Sequence, residues 1–192
     1  MDATGPLHPF SWIREGARKW VFLVLAPLSY LYPTWMGRLC PGMGNRVARW
    51  GIVSFELART PERAQAIVDS WAGPAREAAL LSLGLDYLYL VLYPLAIGLG
   101  AVLVAQRLAP RWRLGALFGL LCAWAVLAAG FLDAAENYAL IRVLRGEVLA
   151  RWTALAYHCA VAKFGLVLLG LVYLILGAIL GLVLPKRRQP AV

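Results

Sequence analysis

The chain has 192 residues, 61% of them A, V, I, L, M, F, W, Y or C and only 15% charged, with a mean hydropathy of +0.68. Soluble domains hold about 45–50% apolar residues, whereas here the charges crowd into short segments between apolar runs long enough to cross a bilayer. That excludes intrinsic disorder, a disulfide scaffold and a nucleic-acid binder: the net charge of +9 comes from charges flanking apolar runs, not from one basic face. The expected class is an integral membrane protein.

Four apolar runs bounded by charge predict membrane helices over 20–36, 79–106, 114–132 and 160–184. The first follows Arg14, Arg18 and Lys19, as a signal peptide would, but no A-x-A-like cleavage site comes after it, so it reads as a retained helix. It is the shortest of the four and carries Pro27 and Pro33, which bilayer helices tolerate when neighbours cover the freed carbonyls. Between the first and second runs, Thr60-Pro61-Glu62 reads as N-cap, N1 and N2 of a helix over about 60–72. Ala64, Ile67, Val68 and Trp71 recur along it at helical spacing and Gly73-Pro74 stops it. Such an amphipathic helix lies on the membrane surface or docks on the ends of the bundle. Trp20, Trp35, Trp71, Trp112 and Trp152 fall at span ends or on flanking helices, where an indole sits at headgroup level.

The expected fold is therefore all-α, a four-helix transmembrane bundle with one short amphipathic surface helix, in a single integral membrane domain over 1–192. Four spans put the N-terminus, the 107–113 loop and the C-terminus on one side, X, and the long connection on the other, Y. Arg14, Arg18, Lys19, Arg107, Arg111, Arg113, Lys186, Arg187 and Arg188 cluster at span ends on X. Side Y carries as many basic residues, nine arginines, but spreads several along the connection, so the termini are expected to be cytoplasmic. Gly115 with Gly119, and Gly177 with Gly181, form G-x-x-x-G pairs, a spacing that lets helix backbones approach closely and also arises by chance in such sequence. Lys163, Gly170 and Gly177 recur every seven residues, which turns Lys163 toward protein and away from lipid.

Ionisable residues at membrane depth are costly and face a bundle interior or a wet cavity. Asp86 precedes Tyr89 and Tyr93 on nearly the same face of the second span, and Pro94 frees the carbonyl of Leu90. Asp133, Glu136 and Asn137 stand at i, i+3 and i+4 at the end of the third. Tyr157, His158 and Lys163 open the fourth. All fall toward Y, so Asp86, Tyr89, Tyr93, Asp133, Glu136, Asn137, His158 and Lys163 form the expected ligand-binding set. Three carboxylates against Lys163 require a protonated carboxyl or a second cation, for which Arg76 and Arg142 are the candidates. The same charges also suit a purely architectural pairing that sets helix register, and Tyr87, Tyr89 and Tyr93 suit ordinary core packing.

No known catalytic arrangement is present: the chain has no G-x-S-x-G elbow, P-loop or H-E-x-x-H. His158 has no second histidine near it, and Cys40, Cys122 and Cys159 lie far apart without C-x-x-C spacing, so neither a metal site nor a cofactor is expected. Catalytic residues stay unassigned. Asp86, Asp133, Glu136 and Asn137 offer oxygen ligands for a hard cation holding a lipid phosphate, which is the basis for an alternative, lipid-modifying enzyme.

Leu85-Asp86-Tyr87-Leu88-Tyr89, preceded by Thr60-Pro61-Glu62-Arg63-Ala64 and Trp71, together with Leu132-Asp133-Ala134-Ala135-Glu136-Asn137, resembles uncharacterised bacterial four-span integral membrane proteins carrying an LDxxEN motif. The resemblance runs over roughly residues 50–175. It implies a four-helix bundle in a bacterial inner membrane and brings no reaction, substrate or cofactor. The leading expectation is a membrane protein whose polar cluster binds a small ligand, an ion or a lipid headgroup. Its partners are the lipid bilayer, that ligand, and a homo-oligomer or partner membrane helix, with no nucleic acid. A scaffold or accessory subunit, docking a partner span on its G-x-x-x-G faces, is the third reading.

Overall fold

The computed structural model describes residues 8–185. Among them are six helices and no strand: α1 Glu15–Leu39, α2 Ile52–Glu56, α3 Pro61–Ser70, α4 Pro74–Leu108, α5 Arg113–Leu144 and α6 Ala150–Val183. The helices α4, α5 and α6 are long and apolar enough to cross a membrane. That is three such helices where the sequence predicts four, because the first run, although helical throughout, is diluted by Pro27, Ser29, Tyr30, Tyr32, Pro33 and Thr34. Lys186, Arg187 and Arg188 lie outside the described residues.

The three long helices extend past their apolar runs on side Y. The third run stops at Asp133, but α5 continues to Leu144 because Asp133, Glu136, Asn137, Leu140, Val143 and Leu144 all face inward, extending the stripe of Gly115, Gly119, Cys122 and Val126. These extra turns are covered by a cap built from 40–73. Thr60 accepts a hydrogen bond from the Arg63 N–H at 3.3 Å and Pro61 opens α3, as its cap signature predicts. The apolar face of α3 then packs against Phe55, Leu83, Leu140, Val143 and Ala156. It is docked on the bundle ends, so the surface helix of the sequence reading does not present Ile67 or Trp71 to lipid.

Trp71 corrects a second expectation, since it is the largest fully buried side chain and not an interfacial anchor. Its ring meets Phe55 edge-on at 5.4 Å and its indole N–H donates to the Met43 carbonyl at 2.8 Å. Gly73, at φ +51, turns the chain in the left-handed region, so Pro74 starts α4 instead of only ending α3.

A second apolar core fills the opposite end of the bundle around Phe10, Leu99, Val102, Leu108, Ala123 and Tyr173. Phe10 brings the start of the described chain to that end, and Arg111 donates to the Leu184 carbonyl at 2.9 Å, bringing its finish there too. Helix α1 packs along α4 with most of its apolar side chains exposed.

The glycines of the G-x-x-x-G pairs are spent inside the chain. A Cβ on Gly119 would run into the Tyr173 ring, one on Gly115 into Trp112, and one on Gly177 would come within 2.5 Å of Val104. Gly130 meets the Leu90 carbonyl that Pro94 leaves without its helical donor, and a Cβ there would stand 2.9 Å from that oxygen. This close approach of α4 and α5 sets Tyr93 beside Asp133.

Candidate functional site

Between the two apolar cores lies a layer of charge. Lys163 on α6, as its heptad spacing with Gly170 and Gly177 predicts, is buried in the bundle. Its Nζ donates to Asp133 Oδ1 at 2.7 Å and forms an ion pair with Glu136 Oε2 at 2.8 Å. Tyr93 donates its hydroxyl to the other Asp133 oxygen at 3.0 Å. Asn137 donates to Asp86 Oδ2 at 2.6 Å, tying α5 to α4. Six of the eight sequence-predicted residues thus gather in one layer: Tyr93, Asp133, Glu136 and Lys163 in one bonded network, and Asp86 with Asn137 in a pair beside it.

Tyr89 belongs to its wall. It stacks on Tyr32 of α1 at 5.6 Å with nearly parallel rings and leans on Tyr93 at 5.1 Å. Tyr32 in turn donates to the Leu85 carbonyl at 2.8 Å, so α1 is held at the depth of the cluster. His158 stays outside: it is exposed, edge-on to Tyr157.

The arginines expected to balance the charge are engaged elsewhere. Arg142 pairs with Glu147 at 2.6 Å and lies over the Trp152 ring, while Arg76 donates to the Leu144 carbonyl. In place of a second cation the fold delivers a fourth carboxylate, Glu56, at the end of α2. Its Oε2 stands 3.9 Å from Lys163 Nζ, is buried, and has no hydrogen-bond partner among the described residues. Burial pushes the Glu56 carboxyl up to about 7; the Lys163 ammonium pulls it back, and Asp86 and Asp133 add repulsion. The sequence signal for Glu56 is a lone acid inside the apolar stretch Ile52-Val53-Ser54-Phe55-Glu56-Leu57.

The cluster opens into a cavity of about 630 Å³. Glu56, Asp86, Asp133 and Lys163 form its charged wall, with Tyr89 and Tyr93 beside them and Met36, Met43, Ile52 and Val53 contributed by the last turn of α1 and the cap. From there it runs between α1, α4 and α6 along Phe22, Ile97, Val167, Leu171 and Leu174. Ser29 Oγ, on the α1 wall, is buried without a hydrogen-bond partner among the described residues. A compartment with a charged patch and an apolar length is matched to an amphiphile, because neither a wholly polar nor a wholly apolar molecule satisfies both parts. No protein-family model, curated protein or solved structure matches this chain.

Proposed function

We propose that this is a four-span membrane protein that binds an amphiphile, its polar head against the Lys163 cluster and its chain between α1, α4 and α6. The observation that carries the reading is the continuity of the 630 Å³ cavity from buried ionic groups to an apolar channel. Helix α1 is the fourth span in this reading. Its 25 residues extend about 37 Å, more than the roughly 30 Å of a bilayer core. It starts with Val21 and Phe22 against the X-end core and reaches the depth of Leu85 through Tyr32. The setting is a bacterial inner membrane with both termini cytoplasmic, a reading supported by the LDxxEN resemblance and by basic residues gathered at the X end.

Two rival readings have less support. The scaffold reading needs free G-x-x-x-G faces, and Gly119 and Gly177 are occupied by Tyr173 and Val104. The metal-dependent enzyme needs its carboxylates free for a cation, and the ammonium of Lys163 stands between Asp133 and Glu136 in that position.

A photoactivatable fatty-chain probe, followed by peptide mapping, tests the binding reading. Crosslinks are expected on Phe22, Ile97 and Leu174, which line the cavity and are partly buried, in excess of Leu23 and Leu168, which face outward. Equal labelling of both sets would refute it.

A further inference from the structure

Four carboxylates, Glu56, Asp86, Asp133 and Glu136, surround a single ammonium, and that ammonium is already committed to Asp133 and Glu136 at 2.7 and 2.8 Å. Both candidate arginines are turned to other partners. Three of the four carboxylates, Glu56, Asp86 and Asp133, line the cavity; Glu136 stands behind Lys163 and is completely buried. The imbalance therefore faces the cavity.

Glu56 is the mark of it on the cavity side, whereas the buried Glu136 Oε1, which also has no hydrogen-bond partner among the described residues, lies behind Lys163. Only 9% of the Glu56 surface is exposed, yet its Oε2, on the cavity wall, accepts no hydrogen bond from the described residues and lies 3.9 Å from Lys163. A buried carboxylate oxygen left this way is costly unless something else donates to it. Asp86 accepts one hydrogen bond, from the neutral amide of Asn137, and has acceptor capacity to spare. The aromatic rings of Tyr89 and Tyr93 border the same space, and aromatic faces attract cations.

We infer that the ligand's head is an ammonium, held between Glu56 and Asp86 beneath the tyrosine wall, with its hydrocarbon chain in the channel lined by Phe22, Leu171 and Leu174. This rests on the amphiphile reading and names the class of ligand within it. A positive head supplies donors to the Glu56 and Asp86 carboxylates, while an anionic head would add like charge to an acidic wall.

The test is native mass spectrometry of the full chain released from neutral maltoside micelles at neutral pH, titrated with decylamine, decanol, decanoate and ethylamine. One decylamine per chain is expected, held about tenfold or more tighter than decanol. Glu56→Gln and Asp86→Asn should each bring decylamine down toward decanol, while unchanged decanol binding shows that the variant is folded. Decanol or decanoate held as tightly as decylamine would overturn the ammonium head and leave the amphiphile reading standing. Decylamine binding unchanged in both variants would do the same. Ethylamine held as tightly as decylamine would overturn the need for a chain, and no retention of any long-chain probe would overturn the amphiphile reading itself.

Discussion

Glu56 Oε2 stands 3.9 Å from Lys163 Nζ, more than 1 Å farther than Asp133 Oδ1 at 2.7 Å or Glu136 Oε2 at 2.8 Å. This longest of the three ion pairs is the one that crosses from the cap to the bundle. It joins a residue of α2 to a residue of α6, and the cavity opens beside it.

That geometry ranks the charge substitutions. Lys163→Met strands buried carboxylates and is expected to cost about 3–5 kcal/mol of stability. Adding Glu136→Gln to it should recover a substantial part, since the stranded charge is then removed. Glu56→Gln should leave the melting temperature in detergent unchanged or raise it, because this carboxylate has a poor partner and a high desolvation cost. A loss on Glu56→Gln as large as that on Lys163→Met would show that Glu56 is there to hold the fold.

Stability should also depend on pH through Glu56. Its folded-state carboxyl is raised from 4.5 to about 7, so between those values the folded protein binds more protons than the unfolded chain. Stability from this group is therefore lost as pH rises from about 4.5 to about 7 and is regained on acidification. Melting curves across that window should fall more steeply with rising pH for the wild type than for Glu56→Gln. Parallel curves would refute the assignment of the effect to Glu56.

The glycine positions separate internal packing from assembly. Gly119→Ala forces a methyl into the Tyr173 ring and Gly177→Leu drives a side chain into Val104. Each should cost about 1–3 kcal/mol, as overpacking does, while the mass of the detergent-extracted particle stays the same. A stable variant that changes oligomeric state would return the scaffold reading to first place.

The cap has its own anchor. Trp71→Ala removes the largest fully buried side chain, its edge contact with Phe55 and its hydrogen bond to Met43. A loss of about 3–5 kcal/mol is expected, with hydrogen exchange accelerating over 40–73 more than in α4 to α6. Uniform acceleration through the whole chain would show that cap and bundle unfold as one unit.

Much of this architecture is legible in the chain itself. Long apolar runs must become helices in a bilayer, since backbone groups there find partners only within the helix, and α4, α5 and α6 follow their runs. Helical periodicity likewise turns Asp133, Glu136, Asn137 and Lys163 to the inside, where they are found. What periodicity within one helix cannot carry is contact between elements distant in sequence. The arrival of Glu56 on Lys163, the departure of Arg142 to Glu147 and the burial of Trp71 under the cap each depend on how the 40–73 segment folds back over the helix ends. Local sequence determined that Asp133, Glu136, Asn137 and Lys163 would face inward; only the tertiary structure decided that a fourth carboxylate, and not a second cation, would join them, because charge balance is a property of the assembled site.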